Sequence, residues 1–136
     1  MISFFYETDF KLSTPNKWKK KLLECIQTEG FEAEDINYIF CDDEYLLKIN
    51  RDFLQHDYYT DVIGFQYSDG KILSGDIYIS VERVCENAKE NEVEFENELA
   101  RVMIHGVLHF MGYKDKSASD AKKMKNAENK YLELFK

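Results

Sequence analysis

The sequence is poor in the residues that interrupt or staple a chain. Its 136 residues include one proline, six glycines and three cysteines. So little proline and glycine excludes a collagen-like repeat or a low-complexity linker. The cysteines are odd in number and form no CxxC pair, which argues against a disulfide framework or a thiolate zinc site. We expect Cys25, Cys41 and Cys85 to be small buried apolar side chains in a reducing compartment.

Long hydrophobic runs are also absent. The longest uninterrupted apolar run covers residues 38–41, whereas a membrane-spanning helix needs roughly 20 apolar residues. The first residues show no basic stretch followed by an apolar one, so no secretory signal is expected. These observations predict a cytoplasmic protein with no membrane partner.

Positive charge is in deficit. Lysine and arginine total 18, aspartate and glutamate total 26, and the formal net charge is −8. Such a chain is repelled by nucleic acid as a whole, so any RNA contact requires a local basic surface or a bound cation. The hydrophobic content of 44% and the length predict one folded domain over residues 1–136.

The order of secondary structure predicts the fold class. Segments rich in β-branched and aromatic residues predict strands at residues 2–6, 36–41, 61–67 and 75–80. Apolar periodicity and capping residues predict helices from Thr14-Pro15 to Gly30, after Asp42 or Asp43, over 81–90, over about 95–111, and from Ser117 toward Phe135. We therefore expect an α+β (α/β-like) fold in which about five helices surround a four-stranded mixed sheet.

A metal-binding pattern lies on the fourth predicted helix. His105 and His109 are four residues apart, so both imidazoles project from one helix face. Gly112 ends the helix, and Asp115 follows where the chain can turn back. Three protein ligands with an open fourth position for water are typical of catalytic zinc.

The spacing alone leaves a second interpretation open, in which the two histidines are only packed against their neighbours. A metalloprotease of the HExxH type is disfavoured, because Gly106 occupies the position of its glutamate base. A glycine in mid-helix costs about 1 kcal/mol relative to alanine. Gly106 therefore predicts that another element packs closely against the helix.

Residues 105–115, HGVLHFMGYKD, resemble the HGxLHxxGYDH motif of the YbeY-type rRNA maturation endoribonucleases. Residues 60–65 are similar to the TDVLSF strand of that family, and Asn50 matches its LN segment. Residues 75–80 are similar to its GDIxIS strand. The blocks follow the family's order and extend from about Ile49 to Asp115.

The resemblance implies a metal-dependent, single-strand-specific endoribonuclease that acts in small-subunit rRNA 3′ end maturation and ribosome quality control. It implies that His105, His109 and Asp115 bind one Zn²⁺ ion, or another divalent transition metal, and act in catalysis through the metal-bound water. The ion would activate a water or polarise the scissile phosphate, and the sequence leaves open whether water or the ribose 2′-hydroxyl attacks. The expected partners are single-stranded rRNA and the small ribosomal subunit.

Two departures from the family pattern lie beside the metal motif. Asp115 stands where the family usually has histidine; a carboxylate lowers the charge of the site and also suits Fe²⁺, Mn²⁺ or Ni²⁺. Lys114 stands where the family usually has aspartate. Lys114 and Lys116 are candidates for binding RNA phosphates, and the alternative is that they only offset nearby carboxylates.

The third departure concerns the arginine that ends the family's LNxxYR segment, because Leu54 takes its place here. Arg51 lies three residues earlier on the same helical face and is a candidate catalytic substitute. An exposed arginine on a helix is ordinarily only solvated. His56, in the polar segment before the third strand, is a further candidate for a substitute ligand or proton shuttle, although a histidine in such a segment is more often only a surface residue. The missing arginine keeps a second function open, that of a non-catalytic RNA- or ribosome-binding maturation factor with the same metal cleft.

Overall fold

The computed structural model describes residues 1–136, with four strands and five α-helices. The strands are β1 (Ile2–Tyr6), β2 (Glu32–Cys41), β3 (Val62–Gln66) and β4 (Ile72–Ser80). The helices are α1 (Pro15–Thr28), α2 (Asp43–Leu54), α3 (Val81–Glu90), α4 (Phe95–Phe110) and α5 (Ala118–Leu132), followed by a 3₁₀ turn at Glu133–Phe135. None of these helices is both long and apolar enough to cross a lipid bilayer.

The four strands form one mixed sheet in the order β1-β2-β4-β3. β2 runs parallel to both β1 and β4, while β3 and β4 form an antiparallel hairpin. The parallel pairs require crossover connections, which α1 provides between β1 and β2 and which α2 and β3 provide between β2 and β4. The predicted four-stranded mixed sheet with five helices is confirmed.

Two strands begin earlier than the sequence pattern predicts. β2 starts at Glu32 and β4 at Ile72, and these two residues are register partners. The pairing shifts register between Ala33 and Ile36. Among these extra residues Leu73 is completely buried in the core, whereas Ile72 is 49% exposed. Pairing between β2 and β4, as well as burial, therefore keeps these strand ends extended.

Side chains cap the N-terminus of three helices as predicted. Asp42, Ser80 and Ser117 each accept a hydrogen bond from the backbone N–H three residues ahead, at the start of α2, α3 and α5. Thr14 occupies the N-cap position of α1 and Pro15 begins the helix, as predicted, but the Thr14 side chain makes no capping hydrogen bond. Thr14 precedes α1 in a left-handed conformation with φ 48°, and its hydroxyl donates to the Ser13 carbonyl instead of accepting from α1.

Helix α4 occupies the centre of the molecule. It packs against α1, α3, α5, β3 and β4, and the side chains of Leu99, Met103, Ile104 and Val107 are completely buried. Each side chain of this size stabilises the fold by about 1.5–3 kcal/mol on burial. The face that carries His105 and His109 is therefore held on a rigid element.

The close packing predicted at Gly106 is confirmed. A Cβ placed on Gly106 would lie 3.0 Å from Cδ1 and from Cγ2 of Ile77 on β4. Glycine thus brings the backbone of α4 down onto the sheet. This approach sets the height of the adjacent His105 above β3 and β4.

We expect Gly75→Ala to lower the free energy of unfolding by about 1–3 kcal/mol, because its Cβ would overpack the interior. That Cβ would meet the backbone carbonyl oxygen of Phe65 and lie 2.7 Å from Cε2 of Phe110. Urea unfolding followed by circular dichroism measures the change. Gly106→Ala is the matched control with a smaller expected loss, since Ile77 is flexible and alanine favours the helix. Equal unfolding midpoints for Gly75→Ala and the wild type would contradict this packing.

Candidate metal centre

Three potential metal ligands converge at the end of α4. His105 and His109 lie one turn apart, with ring centroids separated by 4.5 Å. Beyond the helix, Gly112 adopts a φ of 99°, a left-handed conformation that favours glycine, and the chain turns back. Oδ2 of Asp115 then lies 3.5 Å from Nε2 of His105 and 3.3 Å from Nε2 of His109. One ligand atom from each of the three residues falls within 4.8 Å of the others.

The second nitrogen of each imidazole is already engaged. Nδ1 of His109 lies 2.9 Å from the carbonyl oxygen of Tyr113, and Nδ1 of His105 lies 2.6 Å from Oε2 of Glu128. A carbonyl can only accept, and an ionised carboxylate can only accept, so each Nδ1 carries a proton and donates it. In the neutral rings both Nε2 atoms therefore present lone pairs toward Asp115, as in metal-binding histidines.

This donor set fits a divalent transition metal ion. With both rings neutral, two nitrogen lone pairs and a carboxylate oxygen face one another without a proton between them. A cation placed among them removes that repulsion. Two imidazoles and one carboxylate suit Zn²⁺, Fe²⁺, Mn²⁺ and Ni²⁺, so the donor chemistry agrees with the predicted ligands.

A buried ion-pair network supports His105 from behind. Glu128 on α5 is 7% exposed, and its Oε1 lies 2.8 Å from NH1 of Arg101, one turn before His105 on α4. Burial raises the pKa of Glu128, but the hydrogen bonds from His105 and Arg101 outweigh it and hold the pKa below its usual value. Glu128 is therefore a carboxylate, able to accept the His105 proton.

The pKa of His105 is shifted by the same neighbours. Burial alone lowers it, while the hydrogen bond to Glu128 and the charges of Glu128, Asp115 and Asp61 raise it, and the net shift is upward. The surroundings of His105 thus favour positive charge near its ring. A metal cation satisfies the same preference that a proton would.

The three ligands open into a cleft of about 650 Å³, here called the metal cleft. α4 forms one wall, β3 contributes Ile63 and Gly64, and the end of α2 with the following segment contributes Leu54, His56 and Tyr58. Lys116 is the one lysine or arginine that lines it. The metal cleft therefore combines polar ligands with apolar and aromatic surface.

The other predicted cations lie outside the metal cleft. Lys114 lines a separate hollow of about 400 Å³ together with Lys123. The guanidinium of Arg51 is exposed, with NH1 3.7 Å from Oδ1 of Asp57, and it does not line the metal cleft. The substrate roles of Lys114, Lys116 and Arg51 stay predictions.

Asp61 adds a second carboxyl group to the metal cleft. It lies just before β3, where its backbone carbonyl accepts from the N–H of Ser80 and its side chain accepts from Asn87 at 3.4 Å. Burial raises its pKa. A carboxylate with a raised pKa is a better proton acceptor. Because Asp61 lines the same cleft as His105 and Asp115, it is a candidate for proton transfer there.

Sequence reasoning missed Asp61, Glu128 and Arg101. For Glu128 a signal exists in the pattern of α5, where Met124, Ala127 and Tyr131 mark the buried face. Glu128 belongs to that same face by helical spacing. A charged residue on a core-facing stripe indicates a buried partner, and the partner here is the His105–Arg101 pair.

The family model described as Endoribonuclease YbeY matches residues 4–136. The chain belongs to the endoribonuclease YbeY family. A YbeY relative from Flavobacterium psychrophilum is 53% identical over 135 residues, covering 99% of this chain and 96% of the relative. Another, from Christiangramia forsetii, is 48% identical over 134 residues, with coverages of 98% and 94%. The family predicted from the motif on α4 is confirmed.

A solved structure supports the fold of this YbeY-family chain. The solution structure of a Thermotoga maritima protein is 30% identical, with a TM-score of 0.71, over 98% of this chain and 88% of that one. The match extends across the sheet and all five helices. It agrees with the α+β fold class derived from the order of the elements.

Proposed function

We propose that residues 1–136 form one metal-dependent endoribonuclease domain that cleaves single-stranded RNA. Membership of the YbeY family makes the protein an RNA-cleaving hydrolase. The observation that carries the metal dependence is the convergence of His105, His109 and Asp115 within 4.8 Å in an open cleft. The engaged Nδ1 atoms of both histidines support it, because they leave Nε2 free to bind.

The proposed cofactor is one Zn²⁺ ion per chain, with other divalent transition metals accepted by the same ligands. The carboxylate of Asp115 broadens the choice relative to a site of three imidazoles. A bound ion supplies Lewis acidity, which polarises a phosphoryl oxygen and lowers the pKa of water.

The chain's own residues contribute orientation and proton transfer. Glu128 accepts the Nδ1 proton of His105 and thereby fixes the direction of Nε2. The carboxylate of Asp61, which lines the same cleft and has a raised pKa, accepts the proton of the attacking group, water or a ribose 2′-hydroxyl. The ammonium group of Lys116 binds a phosphate of the strand at the edge of the metal cleft.

The proposed substrate is single-stranded rRNA near the 3′ end of the small-subunit RNA. The proposed place of action is the small ribosomal subunit in the cytoplasm, and the proposed processes are rRNA maturation and ribosome quality control. The size of the metal cleft supports a single strand: about 650 Å³ receives individual nucleotides, whereas duplex RNA keeps its bases stacked inside. The matched motifs on α4, β3 and β4 support the rRNA assignment through the family.

A second candidate is a non-catalytic RNA- or ribosome-binding factor. The observation that favours it is the scarcity of cations in the metal cleft, where Lys116 stands alone and Leu54 occupies the position of the family arginine. A transferring phosphoryl group needs positive charge for fast cleavage. In this candidate, RNA affinity persists without metal and no strand is cut.

We expect the purified protein to cleave a single-stranded RNA but not a duplex of the same sequence. Treatment with a chelator should abolish the cleavage, and added Zn²⁺ or another divalent transition metal should restore it. Gel analysis of end-labelled RNA measures both effects. Cleavage that survives complete chelation would contradict metal dependence. Intact RNA with fully metal-loaded protein would favour the binding factor.

A further inference from the structure

Two aromatic rings form a stacked pair on the wall of the metal cleft between α2 and β3. The rings of His56 and Tyr58 have centroids 5.2 Å apart and planes inclined by 18°. The hydroxyl of Tyr58 lies 3.0 Å from Nδ1 of His56. Both side chains line the metal cleft, and Tyr58 is nevertheless 57% exposed. The two rings lie face to face, and the exposed part of the Tyr58 ring provides aromatic surface at the metal cleft.

Backbone contacts fix the segment that carries the pair. The N–H of His56 donates to the carbonyl oxygen of Asn50 at 3.1 Å. The side chain of Asn50, only 2% exposed, donates in turn to the carbonyl oxygen of Tyr58 at 2.9 Å. Both ends of the pair are thus tied to the last turns of α2. A fixed aromatic surface loses little freedom when a ligand binds to it.

The charges of the metal cleft make such a surface useful to an RNA-binding protein. Asp61 and Asp115 outnumber Lys116 there, and the chain carries a net charge of −8. Apart from the proposed metal ion, Lys116 is thus the one cation of the metal cleft that can contact a phosphate, so phosphate contacts are few at this site. Stacking of bases on aromatic rings needs no cation and tolerates any sequence. The side chain of Leu54, 40% exposed, lines the same cleft and adds apolar surface.

We propose that His56 and Tyr58 form a stacking subsite for an unpaired base of the RNA strand that enters the metal cleft. The inference rests on the proposed RNA substrate and adds to it the group that holds a base rather than a phosphate. Bases enclosed in a duplex cannot reach the subsite. The pair therefore contributes to the preference for single strands.

The test compares two strands that differ only in their bases. One is a short 2′-O-methyl, phosphorothioate-linked oligouridylate, and the other has the same backbone with abasic residues; both resist cleavage by the metal-loaded protein. Fluorescence anisotropy measures their affinities. Tyr58→Ala should lower the affinity for the base-carrying strand by about tenfold and leave the affinity for the abasic strand unchanged. Tyr58→Leu should behave like Tyr58→Ala, and Tyr58→Phe should remain within about twofold of the wild type, because it keeps the ring.

Tyr67→Ala is the matched control, since Tyr67 is 67% exposed and hydrogen-bonded to Asp76 but lies outside the metal cleft. It should bind both strands as the wild type does. Unchanged affinity in Tyr58→Ala would overturn the stacking subsite while the wild type still cleaves RNA. Equal losses of affinity for the two strands would also overturn it, because they would show that Tyr58 acts on the sugar–phosphate backbone of the strand and not on a base. A wild type that neither binds nor cleaves RNA would instead refute the proposed function itself.

Discussion

His109→Ala is expected to remove the metal ion and to lower the rate of RNA cleavage by about a thousandfold, because a metal ion supplies several kcal/mol of transition-state stabilisation. The fold should be nearly unaffected. The side chain of His109 is 39% exposed, and its one hydrogen bond goes to the carbonyl of Tyr113. Metal analysis, cleavage rates and thermal unfolding together separate the loss of a ligand from the loss of structure.

Glu96→Ala is the matched control for His109→Ala, because Glu96 is exposed in the first turn of α4, away from the metal cleft. Glu96→Ala should retain the bound metal ion and the wild-type rate of RNA cleavage. Added imidazole should restore part of the cleavage in His109→Ala by replacing the missing nitrogen. A stoichiometric metal ion and a normal rate in His109→Ala would show that His109 is not a ligand.

The second large effect is expected at Glu128. Glu128→Ala leaves Nδ1 of His105 without its acceptor and Arg101 without its partner. We expect metal affinity to fall about 10- to 100-fold, as for other residues that orient a metal-binding histidine. The free energy of unfolding should fall by about 2 kcal/mol, since a largely buried pair is broken. Competition with a chromophoric chelator and urea unfolding measure the two quantities.

Two variants sharpen the Glu128 experiment. Glu128→Gln keeps an oxygen acceptor but not the charge, so its metal affinity should lie between those of the wild type and Glu128→Ala. Glu133→Ala removes an exposed carboxylate whose hydrogen bond is to Lys136, and it should change neither quantity. If Glu128→Ala binds metal as tightly as the wild type, Glu128 does not position His105.

The convergence of His105, His109 and Asp115 was predictable from the sequence because their geometry is local. A helix places His105 and His109 on one face whatever the rest of the chain does. Gly112 and the short segment after it bring Asp115 back within a few residues, as its φ of 99° shows. The same local logic predicted the capping side chains of Asp42, Ser80 and Ser117.

The supporting residues were not predictable because distant segments bring them together. Glu128 follows His105 by 23 residues in the sequence and reaches it only because α5 packs along α4. Asp61 enters the metal cleft because β3 pairs with β4 and its carbonyl accepts from Ser80. The sheet order places β4 between β2 and β3, and no local pattern specifies such pairing.

The metal content of Asp115→Ala tests the central claim most directly. The protein and its variants are purified without chelator, and metals are quantified by inductively coupled plasma mass spectrometry. We predict about one zinc or other transition metal ion per wild-type chain, its loss in Asp115→Ala, and its retention in Asp115→His and in Asp69→Ala, a surface control outside the metal cleft. A wild type without stoichiometric metal, or an Asp115→Ala variant that keeps it, would contradict the assignment of His105, His109 and Asp115 as the metal centre.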